Sequence, residues 1–117
     1  MQMLEKLYRY LQRKAEPLLP PRKLVVIEGD SLPAEIPMRT VVLARDGQED
    51  WCVGFQCPCG CGRTIELLLI KEARPRWDYR VDDQGRPSLY PSVWLQTGCK
   101  SHFWLRKGRI YWTETSV

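Results

Sequence analysis

Histidine occurs once in these 117 residues, at His102, and cysteine five times, an odd number. The odd count rules out a framework in which every thiol is paired. With no export signal, the cysteines read as metal ligands or reactive thiols kept reduced in a cytosol. The longest apolar run is "LLLI" at 67–70, far below the roughly 20 residues of a bilayer span. The opening "MQMLEKLYRYLQRK" lacks the apolar stretch of a secretory signal. A cytoplasmic protein with no membrane partner is the expectation. Positive charge is also scarce where nucleic acid would need it. The net charge of +4 resides in residues 1–23, where Lys6, Arg9, Arg13, Lys14, Arg22 and Lys23 face only Glu5 and Glu16. The rest of the chain is balanced, which argues against a nucleic-acid fold and leaves at most a basic N-terminal arm.

What is present fits one domain. A hydrophobic share of 44% and a charged share of 27% are those of an ordinary globular chain, and the length allows one core. Over residues 1–14, Met1, Leu4, Tyr8 and Leu11 recur at helical spacing, and Pro17, Pro20 and Pro21 end the pattern. This amphipathic helix is expected to pack on the core or on a subunit, with its Lys and Arg in solvent. A membrane or an acidic partner is the alternative. From residue 23 the period becomes that of strands: "KLVVIE", "MRTVVLAR", "DWCVGFQ", "TIELLLI", "RWDYRV", "SVWLQT", "HFWLR" and "RIYWTE". Asp46-Gly47, Gln84-Gly85 and Lys107-Gly108 suit tight hairpins. The expected fold is mainly β (α+β), a small antiparallel sheet or open barrel with one N-terminal helix. It forms a single domain over 1–117, with a β core at about 38–114.

The stretch "FQCPCGCGR" at 55–63 sets three cysteines two residues apart directly after a strand. In that strand Trp51, Val53, Phe55 and Cys57 share a face, while Cys52 points the other way as a small buried hydrophobe. Glycines beside Cys59 and Cys61 free the backbone to curl until the sulfurs converge. Thiolates so close repel one another unless a cation such as Zn²⁺ holds them. A structural zinc takes four ligands, and the fourth has to come from "TGCKSHFW", which offers Cys99 and His102. Two ligand sets stand open: Cys57, Cys59, Cys61 and Cys99, or Cys99 and His102 with cysteines of the loop. An extended "CKSHFWLR" favours the first, because Cys99 and Ser101 then share one face and His102 and Trp104 the other. Either set staples the β core, so that metal affinity adds to folding. The tryptophans at 51, 77, 94, 104 and 112 are expected mostly in the core.

If sulfur alone binds the ion, His102 can serve as a base. Ser101, its neighbour, projects to the opposite side of a strand. Ser92, in "LYPSVW", lies across a neighbouring strand and is the first candidate for a Ser92/His102 nucleophile pair. Ser88 is another nearby hydroxyl. Asp78, Asp82, Asp83 and Glu66 are available as an orienting acid, and their spacing selects none of them. Gly60 and Gly62 offer N–H groups to an oxyanion.

The order "WCVGFQCPCGCGRTIELLL", Trp77, "LYPSVW" and "CKSHFWLRKGRIYW" resembles the bacterial family catalogued as domain of unknown function 6527, over about residues 38–114. Members of that family are encoded beside ubiquitin-like proteins and E1/E2-like enzymes. The resemblance implies a zinc-containing serine peptidase that processes the C-terminus of a ubiquitin-like protein or cleaves its conjugates. It implies zinc on Cys57, Cys59, Cys61 and Cys99, and an active centre at Ser92, Ser101 and His102. The rival readings are a non-catalytic zinc-stapled adaptor for ubiquitin-like pathway proteins, and a zinc-dependent hydrolase in which His102 helps hold a catalytic ion.

Overall fold

The computed structural model describes residues 2–113. Met1 and Glu114, which the expected helix and last strand include, lie outside them. Helix α1 (Gln2–Ala15) ends in a 3₁₀ turn, Glu16–Leu18, with Pro17 inside it. The strands that follow are β1 (Lys23–Glu28), β2 (Thr40–Asp46), β3 (Glu49–Gln56), β4 (Thr64–Leu68), β5 (Asp78–Val81), β6 (Pro87–Tyr90), β7 (Val93–Trp94), β8 (His102–Arg106) and β9 (Arg109–Trp112). They form three small sheets, β1-β2-β3-β4, β5-β6 and β7-β8-β9. The fold is mainly β with one N-terminal helix, as expected, and the described strands close no barrel.

Two features were not among the expected strands and pairings, one in direction and one in extent. Strand β1 runs parallel to β2, with Lys23 beside Thr40 and Glu28 beside Arg45. A parallel pair needs a crossover, and residues 29–39 supply it without a helix. Ile36 in that crossover is buried, and its carbonyl accepts Gln56 Nε2 at 2.6 Å. Gly54 of β3 sits directly beneath, where a β-carbon would collide with Leu32. The second feature is β6, which pairs with β5 across the Gln84-Gly85 turn. Pro87 opens the strand, a position where the missing N–H costs no ladder bond.

Alternation decides which residues form the core. On β4, Ile65 and Leu67 point inward while their neighbours are exposed, and β8 buries Phe103 and Leu105 in the same way. The inner face of the four-stranded sheet, carrying Val41, Leu43, Val53 and Phe55, meets Leu89, Val93, Phe103 and Ile110 from the other sheets. Phe55 and Phe103 join the layers edge to face, centroids 6.1 Å apart at 76°. The tryptophans lie at the rim rather than in the core. Trp77 and Trp112 pack against it half-buried, and Trp94 is exposed. A side chain this large seldom disappears entirely into a small core.

A buried ionic node ties the end of α1 to the sheets. Glu16 accepts Arg22 Nη1 at 3.0 Å and Arg39 Nη1 at 2.8 Å, and also the backbone N–H of Ile110 at 3.2 Å. Removing one member of such a cluster strands buried charge, at a cost of about 3–5 kcal/mol. Glu16→Ala is therefore expected to lower stability by that amount and Glu16→Gln by less, as read by denaturant midpoints.

Candidate active site and metal centre

The cysteine loop is shaped by two turns. Cys57 N–H bonds Arg63 O at 2.8 Å and Gly60 N–H bonds Cys57 O at 3.2 Å. Gly60 and Gly62 take φ of 88° and 84°, values open to glycine at little cost. Cys99 arrives on a separate turn in which Lys100 N–H reaches Thr97 O at 3.4 Å, and Arg63 Nη1 clamps the two segments through Thr97 O at 2.8 Å. The result is four sulfurs, from Cys57, Cys59, Cys61 and Cys99, all within 4.8 Å of one another. Cys57 Sγ lies 3.4 Å from Cys59 Sγ and 3.7 Å from Cys99 Sγ. A tetrahedral ion with sulfur at about 2.3 Å would space its ligands by about 3.8 Å, so the donor set fits a metal.

The thiols cannot all ionise by themselves. The Cys57 S–H bond to Cys59 holds the Cys57 thiol far above its ordinary range, with burial adding to it. The same bond holds Cys59 down to about 4, helped by Ser101 and Cys61. A cation removes that conflict by replacing the shared protons. Cys52 stands apart, buried at the other face of β3, its thiol pushed up to about 11 by burial and then by Glu66. Cys52→Val is accordingly expected to keep full metal content, whereas Cys59→Ser loses it, measured as metal per chain.

Helix α1 lies over this centre, with Lys6, Arg13 and Lys14 exposed. Tyr8 and Gln12 press on Gly60. Lys6, Tyr10 and Arg13 line a cavity of about 260 Å³ together with Cys59, Cys99 and Ser101, and Arg13 stacks on Trp112 at 4.0 Å. Leu4, Leu7 and Leu11 face outward, each more than half exposed.

On the far side of residue 101 the chain builds a different site. Val93 pairs with Phe103 and Trp94 with His102. Val93 and Phe103 are fully buried, so Trp94 and His102 must point outward. Their rings stack at 4.7 Å and 6°. Ser92 Oγ stands 3.1 Å from His102 Nε2, within reach for proton transfer. Ser101 faces the sulfurs instead. It is buried, with its Oγ 3.2 Å from Cys99 Sγ. Ser88 Oγ is engaged by Lys107 N–H at 2.8 Å. Of the three hydroxyls, only that of Ser92 is found against the imidazole.

The cysteine cluster and the Ser92/His102 pair are thus separate, because residues 99–101 present Cys99 and Ser101 to one side and residue 102 turns to the other. His102 is not among the sulfur ligands. Gly60 cannot serve an oxyanion, since its N–H is taken by Cys57 O. Asp78 pairs with Arg76 at 3.4 Å. Asp82 pairs with Arg86 at 2.7 Å and accepts the N–H groups of Gln84 and Arg86 in the β5–β6 turn.

A family model described as bacterial ubiquitination-like system serine protease (BubE) matches residues 28–113. The chain belongs to the BubE family. The match spans both the cysteine cluster and Ser92/His102, and leaves α1 outside. It bears out the peptidase family of ubiquitination-like systems that the sequence resembles, under the BubE name. No curated protein and no solved structure matches the chain. No helix among the described residues is long and apolar enough to cross a membrane.

Sequence reading overlooked Trp94 as part of the site. The signal was available in "SVW", because alternate residues of a strand share a face and Ser92 and Trp94 are two apart.

Proposed function

We propose that this chain is a cytoplasmic serine peptidase that processes the C-terminus of a bacterial ubiquitin-like protein or cleaves its conjugates. Ser92 is the nucleophile and His102 the general base. The observation that carries the reading is the 3.1 Å approach of Ser92 Oγ to His102 Nε2 on a solvent-facing side of the β7–β8 pair, in a chain of a serine protease family. Its partners are the ubiquitin-like protein and the E1/E2-like enzymes of the same pathway.

With the ring proton on Nδ1, His102 Nε2 accepts the Ser92 proton as Oγ attacks the carbonyl of a peptide or isopeptide bond. The imidazolium then returns that proton to the leaving amine. Water, deprotonated by the same nitrogen, releases the acyl group and restores Ser92. The flat stack of Trp94 on the imidazole fixes the plane in which Nε2 presents its lone pair, which is the orientation the transfer needs.

Four cysteine sulfurs in tetrahedral reach are a donor set that suits zinc, and a closed all-sulfur set is that of a structural ion. Bound there, zinc would neutralise thiolate charge and crosslink two distant loops. Cys57, Cys59, Cys61 and Cys99 hold it. Ser101 hydrogen-bonds its sulfurs, which gives the third residue of the implied active centre a supporting place.

The test is incubation of the purified chain with a ubiquitin-like precursor bearing its C-terminal tail, followed by intact mass. A product shortened by the tail supports peptidase action. An unchanged mass, with the two proteins bound to each other, would leave the adaptor reading in its place.

A further inference from the structure

We infer that the substrate's main chain docks as an added strand on the outer edge of β7, pairing with the N–H and C=O of Trp94. This rests on the reading of Ser92 as nucleophile. The argument starts from the hydrogen-bond alternation of an antiparallel pair, in which the backbone groups of successive residues point to opposite edges. Leu95 N–H donates to Ser101 O at 2.9 Å, so Leu95 and Val93 direct their backbone groups into the sheet. Trp94, between them, directs its own outward.

Strand β7 is the end of its sheet, and no described strand pairs with its outer edge. Among the described residues the Trp94 carbonyl there meets the side-chain amide of Gln96, at a long 3.4 Å, which an incoming N–H can displace, while the Ser92 carbonyl on the same edge is held by Trp77 Nε1 at 3.4 Å. An unpaired strand edge is a ready template for an extended peptide. Here the template lies two residues from Ser92, so its hydroxyl and the indole of Trp94 share a face.

The register follows. In an added antiparallel strand, the residue whose carbonyl is attacked lies opposite Ser92. The residue two places toward the substrate's N-terminus lies opposite Trp94 and makes both main-chain bonds. The indole, half exposed and stacked on His102, forms the wall of the cleft along that segment. Affinity comes from the main chain, so the site takes any extended, unstructured tail that fits beside the wall. A folded segment, whose amides are already paired, is excluded.

The test is an ester scan. Peptides spanning the last ten residues of a ubiquitin-like precursor are synthesised with one backbone amide at a time replaced by an ester, and kcat/KM is measured on the intact chain. Loss of one main-chain bond is expected to lower it about 5- to 10-fold, and only for the N–H two residues before the cleaved carbonyl. Labelling of Ser92 by a small fluorophosphonate needs the Ser92/His102 pair but no strand pairing, and it is run in parallel. A flat ester scan, or one with its minimum elsewhere, in a chain that labels at Ser92 overturns β7 docking and leaves the nucleophile standing. Absence of both labelling and cleavage overturns the nucleophile, and the docking proposal with it.

Discussion

Ser92→Ala is expected to lower cleavage of the tail-bearing precursor by about 10³-fold or more while metal content and melting temperature stay where they are. The hydroxyl is the only group the substitution removes, and its described side-chain partner is His102 Nε2. His102 keeps its stack on Trp94, so no buried group is stranded and the β7–β8 pair is untouched. His102→Ala should cost a comparable amount, and the double variant no more than either single change, because two members of one proton-transfer unit fail together. Ser101→Ala separates the two serines. Its hydroxyl lies on Cys99 Sγ at 3.2 Å, so its loss should weaken metal retention and leave the rate per folded, metal-loaded chain nearly unchanged. The measurements are kcat on purified variants, metal per chain and melting temperature. Full activity in Ser92→Ala would remove that residue from the mechanism.

The sequence made the separation of these two sites readable for a reason that only partly holds. Treating "CKSHFWLR" as extended puts Cys99 and Ser101 opposite His102. The structure does so too, yet the strand begins at His102, and Lys100 adopts a positive φ of 53° in a turn. The parity of Ser101 and His102 carries the result, while Cys99 reaches the cluster through turn geometry that composition does not encode. The extents of β1 and β8 follow directly from their β-branched and aromatic runs. Strand β6 was hidden because Pro87 and Pro91 bracket it, and prolines usually mark a loop. The parallel pairing of β1 with β2 was hidden because pattern within a strand says nothing about the direction of its neighbour. The place of α1 was hidden as well, since the surface it covers is assembled from residues 59, 60, 99 and 101 and exists only in three dimensions.

Removing the metal is expected to lower the melting temperature by roughly 15 °C, and activity should disappear with the fold rather than before it. Cys57 and Cys99 are 42 residues apart in sequence, and joining points that far apart restricts the unfolded chain by about 4 kcal/mol on the loop-closure model. For a domain of this size each kcal/mol moves the midpoint by about 4 °C. The stapled segment contains β4 to β7, of which β7 has two residues and β5 and β6 four each, so these strands have little pairing of their own to resist the loss. Ser92 and Trp94 sit on one side of the 95–101 connection and His102 on the other, and Cys99 is the anchor within it. A metal on these sulfurs would therefore hold the span between Ser92 and His102 without touching either. Chelator titration below the melting point of the metal-free chain distinguishes this arrangement from a catalytic ion. Cleavage that persists in the folded, metal-free chain, or falls only as circular dichroism falls, agrees with a structural centre. Abolition of cleavage at unchanged circular dichroism, with Ser92 still labelled by fluorophosphonate, would put the metal into the chemistry and overturn the assignment of water activation to His102.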